Sequence, residues 1–143
     1  MSEPRRYIPT PTGFLIVLRR GDDVFAELAT LMREQSVPSA TIFGFGFAGE
    51  VTFGFYDFDR KEYRPKVFHE LEVTNLTGTL AWKEGQPAIH AHGTAGDASF
   101  RTVGGHLLAL TVGRGSMEIS VTVIPIALQR DVDPEIGANI LQL

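Results

Sequence analysis

The sequence predicts an α+β fold: a single domain in which one main helix packs on a mostly antiparallel β-sheet. Three observations carry this. Only "GDDVFAELATLMREQ" repeats its apolar residues at helical spacing. From Ala40 onward the apolar period drops from about four to two, the alternation of half-buried strands. Gly, Pro, Asn and Asp then interrupt the chain at short intervals, as turns between strands do. A lone helix beside many strands is the α+β pattern.

Residues 1–13 are polar, carry Pro4, Pro9 and Pro11, and read as an N-terminal arm or extended lead-in, with 14–143 forming the domain. Phe14 to Arg19 has the look of a buried strand. Asp22 and Asp23 then stand where a helix start favours acceptors and negative charge. Val24, Leu28 and Leu31, with Phe25 and Met32, supply the buried stripe, and Pro38 separates the helix from the strands beyond it. In "GEVTFGFYDF", Val51, Phe53 and Phe55 alternate with Thr52, Gly54 and Tyr56. In "SMEISVTVIP", Met117, Ile119, Val121 and Val123 alternate with Glu118, Ser120 and Thr122. "HELEVTNLTGTLAW", "PAIHAHGTA", "VGGHLLALTVG" and "IALQRDV" complete the sheet, and the tail "DPEIGANILQL" reads as a short final turn. The phenylalanines of "IFGFGF" and "FGFYDF" are expected in the core, with a pocket lining as the alternative.

Composition narrows the chemistry. A length of 143 residues suits one core. There is no cysteine, so disulfides and thiolate metal sites are excluded, and any metal must use imidazole, carboxylate, backbone or water. The net charge of −4 works against a surface built to neutralise phosphates. The longest early apolar run, "FLIVL", is far short of a signal-peptide core or a membrane span, so a cytoplasmic setting without membrane attachment is expected. "GFGFAG" has the letters of the dinucleotide fingerprint. The adjoining "EVTFGFYDF" has strand period and no helical stripe, so those glycines serve a bulge or a close backbone approach instead.

The histidines are the informative residues. His90, His92 and His106 lie in "AIHAHGTAGDASFRTVGGHL", while His69 stands apart. In a strand, positions i and i+2 share a face, so His90 and His92 project together with β-carbons about 7 Å apart. If "AIHAHG" and "GGHLLALTV" form a hairpin centred near residues 98–99, His106 joins the same face. Three imidazoles without thiolate suit zinc, with other divalent transition metals open, and leave a fourth position for water or another group. Such a site can lower the pKa of bound water to about 7. The carboxylates to inspect as a general base are Glu72, Glu118 and Asp97. On the His106 arm, Leu108, Leu110 and Val112 share one face, while Leu107, Ala109 and Thr111 share the other. With both faces largely apolar, a partner subunit is expected as a second cover.

These landmarks, in this order, resemble the plants-and-prokaryotes-conserved (PPC) domain family. The likeness runs from about Gly13 to Asp131 through "LRRGDDV", "ATIFGFGFAGEVTFGFYD", "HELEVTNLTGTLAW", "IHAHGTAG", "GGHLLALTV" and "SMEISV". The resemblance implies a PPC-like fold that assembles as a homotrimer. It also implies zinc ligands at the positions of His90, His92 and His106. Plant members carry DNA-binding AT-hooks outside this domain, and stand-alone prokaryotic members take a DNA-binding label by that analogy. This chain has no Arg-Gly-Arg core, since "VGRGS", expected at a strand turn, inverts that order. Two functions are therefore carried forward. One is a metal-binding homotrimer with a regulatory or DNA-associated role, a reading compatible with a purely structural metal. The other is a zinc-dependent enzyme acting on a small molecule, whose identity the residues do not give.

Overall fold

The structure, a computed structural model, describes residues 4–143. Its elements are β1 (Tyr7–Thr10), β2 (Gly13–Arg19), α1 (Val24–Glu34), β3 (Ser39–Asp57), β4 (Glu62–Lys83), β5 (Gln86–Gly96), β6 (Thr102–Ile124), β7 (Gln129–Val132) and β8 (Asn139–Gln142). Neighbouring strands pair antiparallel, except for one parallel contact between Trp82 of β4 and Gln129 of β7.

Three strands are far longer than usual, and their length lets the sheet close on itself. β3 pairs with both β4 and β6, and β5 also pairs with both β4 and β6. The four strands thus form a hydrogen-bonded circuit, to which β1 and β2 are added along β6 and the β7–β8 hairpin along β4. Inward residues fill its interior: Val51, Leu71, Leu76, Leu80, Ala91, Ala95, Leu110 and Ile119 are all buried.

The helix forms where its apolar stripe and its cap agree. Asp23 is the N-cap and accepts from the Ala26 amide at 3.0 Å. Val24, Leu28, Leu31 and Met32 are buried as α1 packs across β5 and β6. Just before it, Asp22 accepts from the Arg19 amide at 2.8 Å and from the Arg6 guanidinium at 3.2 Å. The backbone of Asp22 is also tied to Val112 of β6, so this turn fixes the helix to the sheet. Burial alone would raise the Asp22 carboxyl, but the Arg19 amide and the Arg6 guanidinium outweigh it and hold it below the usual carboxylate value. Its contribution is therefore present above the unfolded-state value near 3.8 and is lost as pH falls below it. Asp22→Asn is expected to cost about 1 kcal/mol at pH 7, the scale of one charge-assisted hydrogen bond. The gap from the parent should shrink below about pH 3.5 in urea titrations. An equal gap at both pH values would remove the charge argument.

Within the arm, whose residues 1–3 lie outside the described residues, Tyr7–Thr10 forms an extended edge strand paired to β2. Several expectations need correction. The tail is not only a turn: Asn139–Gln142 returns as β8 against β7. "VGRGS" lies inside β6, where two steps along β3, from Gly46 to Ala48, face five along β6, from Val112 to Met117. It is a wide bulge rather than a turn. The two apolar faces of the His106 arm have a similar origin. Thr52 pairs with Ala109 and Phe53 with Leu107, so Leu108 is an extra residue that reverses the alternation. Leu107, Leu110 and Val112 consequently all face one core, while Leu108 is exposed. The case for a covering subunit drawn from that arm falls with it. The "GFGFAG" glycines do behave as expected, lying at register shifts of β3. A β-carbon on Gly46 would stand 2.3 Å from the Ser116 carbonyl oxygen. Among the described residues, no helix is long and apolar enough to cross a membrane.

Candidate metal centre

The hairpin that the histidines require is present in the required register. His92 pairs directly with His106, and Gly93 with Gly105. Its tip is held by Asp97, which accepts from the Ser99 and Arg101 amides and from the Arg101 guanidinium. Ala91 and Ala95 point into the core, so His90 and His92 are on the outer side of the circuit. His106 joins them there because Leu107 takes the inward position.

The three side chains converge. Each offers one ring nitrogen, and these atoms lie within 4.8 Å of one another, the one such group of three or more among the described residues. The His90 and His92 Nε2 atoms are 3.2 Å apart. Two nitrogens on a tetrahedral ion at about 2.0–2.1 Å stand about 3.3 Å apart, so this edge already matches a zinc site. Ring centroids are separated by 5.1, 5.2 and 5.3 Å around the triangle. The donor set therefore fits a divalent transition ion held by neutral imidazoles.

The surroundings keep two of those imidazoles, His106 and His90, neutral. Burial holds His106 down to about 4, aided by His90, His92 and the Arg130 guanidinium. Burial also lowers His90, with Arg130 and His92 acting in the same direction. Both rings offer lone pairs at neutral pH, as ligation demands. Tyr63 stacks on His106 with centroids 4.3 Å apart, and its hydroxyl is 3.4 Å from Nδ1. Burial and neighbouring Tyr56 raise the Tyr63 phenol, which stays protonated.

A cavity of about 800 Å³ opens over the three rings. The hairpin tip between β3 and β4 supplies one wall, with Phe55, Tyr56, Phe58 and Tyr63. The β7–β8 hairpin supplies the other, with Arg130, Ile136 and Ile140. Tyr56 joins the two walls by donating its hydroxyl to the Ile136 carbonyl. Phe55 and Phe58 are among the most exposed aromatics, as are Phe43 and Phe45. The expected core role thus fails for these four: β3 runs past the edge of the core at one end, and its outward face carries Phe43 and Phe45 at the other.

The sequence located the histidines and left the rest of the site unmarked. None of Glu72, Glu118 and Asp97 lines the cavity, whose one carboxylate is Glu62. Asp97 serves the hairpin tip, Glu118 pairs with Val17 and Phe45 in the distant half of β6, and Glu72 pairs with Phe47. His69 lies elsewhere, 3.3 Å from Glu50 on the surface. Arg130 and Tyr63 carried no local signal, because long-range pairing alone brings them to the histidines.

The chain is similar to several known proteins. The family model of the Plants and Prokaryotes Conserved (PCC) domain matches residues 6–125. A protein of Ralstonia eutropha JMP134, whose crystal structure bears the name "Putative DNA-binding protein", is 57% identical over 96% of each chain, with a TM-score of 0.94. A protein of Bacteroides thetaiotaomicron with the same style of name is 27% identical over 95% of each chain, with a TM-score of 0.89. The metal-containing protein of Archaeoglobus fulgidus is 26% identical over 91% of this chain and 92% of its own, with a TM-score of 0.82. No curated protein sequence matches the chain.

Proposed function

This chain belongs to the Plants and Prokaryotes Conserved domain family, and from that premise we propose that it is a zinc-binding homotrimer with a regulatory or DNA-associated role. The observation that carries the metal is the convergence of His90, His92 and His106 on one point beneath a cavity. The metal-containing Archaeoglobus relative supports the same assignment. When bound, a divalent ion supplies Lewis acidity at the one position that three imidazoles leave open. The trimer follows the family expectation and is supported by Phe43 and Phe45, 56% and 48% exposed side by side on one face of β3. The DNA-associated role rests on the names carried by the Ralstonia and Bacteroides proteins.

The first test is elemental analysis of tag-free protein together with light scattering. The expected result is close to one zinc per chain and three times the mass of one chain. Protein free of transition metal, or a monomer at micromolar concentration, would overturn the corresponding half of the reading. DNA association is expected to show in a low-salt gel-shift assay and to weaken steeply with added salt. Absence of a shift at low salt removes it. A second reading, a zinc-dependent enzyme acting on a small molecule, is favoured by the cavity, since a metal that only held the hairpin together would need no such opening over it.

A further inference from the structure

Arg130 is the one charged side chain in the buried class among the described residues, at 8% exposure, and it lines the cavity beside the three histidines. Its Nη2 donates to Thr79 Oγ1 at 2.6 Å, and Thr79 is the β4 residue paired with His90. Its Nε is buried with no hydrogen-bond partner. A buried guanidinium with an unused donor is costly unless something that accepts hydrogen bonds sits against it. Glu62, the one carboxylate of the cavity, pairs with Arg60, and Lys61 donates to the Pro134 carbonyl, so among the described residues the Arg130 charge has no carboxylate against it. A divalent ion held by neutral imidazoles would add two further positive charges to the same space. This constellation calls for an anion.

The walls say what kind of anion. Phe55, Phe58, Ile136 and Ile140 present apolar surface, and about 800 Å³ is the size of a small-molecule site. That is far more room than a free inorganic ion fills. Guanidinium pairs with carboxylate through parallel N–H donors, and carboxylate oxygens are ordinary ligands of zinc. We propose that the cavity binds a small organic carboxylate, with Arg130 holding the anion, the open position of the histidine centre as second anchor, and the aromatic wall covering the apolar body. The inference rests on the zinc reading for one of its two anchors only.

The test uses the full chain, with cobalt loading read by visible absorption and ligand binding by calorimetry. The probes are benzoate, its neutral isostere benzamide, and inorganic phosphate. Benzoate is expected to bind and to perturb the cobalt spectrum, at least about tenfold more tightly than benzamide or phosphate. Arg130→Gln is expected to weaken benzoate at least about tenfold while leaving cobalt affinity within a few-fold. Arg130→Lys, which keeps the charge but not the fork, should fall between. If cobalt loads and benzoate does not bind, or binds no better than benzamide, the carboxylate site is overturned and the metal reading stands. Undiminished benzoate binding in a folded Arg130→Gln chain overturns the role of Arg130. If phosphate binds as tightly as benzoate, the ligand is an oxyanion without an apolar body, and the carboxylate class fails. If cobalt does not load, the zinc reading fails on its own. Benzoate binding that still depends on Arg130 would then uphold that anchor, and no binding would overturn both. The benzoate–benzamide comparison needs only the parent chain, so a variant that failed to fold would not shield the idea.

Discussion

Replacing His90 and His92 together with alanine is expected to abolish the proposed metal binding without unfolding the protein. Both side chains leave the circuit on its outer side, while Ala91 between them holds the core position. Neither imidazole supports the interior, so the stability of the metal-free chain should change by no more than about 1 kcal/mol. Loss of an outer partner to a metal ligand already costs about 10- to 100-fold in affinity, so loss of two ligands of three should exceed about a hundredfold. Plasma mass spectrometry of tag-free parent and variant, beside their thermal melts, reads the two effects separately. Stoichiometric metal in the variant would return the histidines to the status of ordinary surface and interface residues.

The largest expected loss of stability comes from a residue with no side chain. Gly78 of β4 pairs with Ala91 of β5 and Ile42 of β3. A β-carbon there would lie 2.0 Å from the His90 carbonyl oxygen and 2.8 Å from the Ala91 Cα. Those obstacles are backbone and cannot swing aside, so β4 and β5 would have to part. Gly78→Ala is expected to cost about 3 kcal/mol, the upper range of overpacking, and to lower metal affinity by displacing His90. Gly96→Ala is the control. The nearest atom to its β-carbon is the Arg101 carbonyl oxygen at 4.0 Å, and its cost should stay within about 0.5 kcal/mol. Urea unfolding of the three proteins decides the matter; near-equal midpoints for both variants would show that β4 and β5 yield easily there.

How much of this was written locally can be judged residue by residue. The helix was legible because stripe and cap coincide: Asp23 caps and Leu28 and Leu31 are buried. The convergence of the three histidines was legible because strand period and hairpin symmetry are both short-range, and the direct pairing of His92 with His106 is the register those rules demand. What failed depended on irregularity or distance. One inserted residue, Leu108, reversed a strand's faces and made one core look like two. Phe55 has the alternation of a core residue, yet β3 has left the core by then and Phe55 is 68% exposed. Arg130 sits in a four-residue strand with nothing nearby to mark it, and 51 residues separate it from Thr79, its hydrogen-bond partner. Periodicity reports which side a residue faces only while the ladder stays regular, and it carries no information about how far the ladder extends.

The closed circuit also sets an order of assembly. β4 to β5 and β5 to β6 are joined by short turns, so those pairings form at small entropic cost. The seam between β3 and β6 is different: its partners, such as Ser39 with Ile124 and Gly54 with His106, are dozens of residues apart. Non-local pairing of that kind is the slow event in β-rich folding. His90, His92 and His106 all belong to the early hairpin, whereas Arg130 arrives only when the last strands dock. During refolding, the imidazole trio is therefore expected to be complete before the cavity above it closes. An ion captured at that stage would be enclosed by the remaining chain, instead of finding its way into a finished protein.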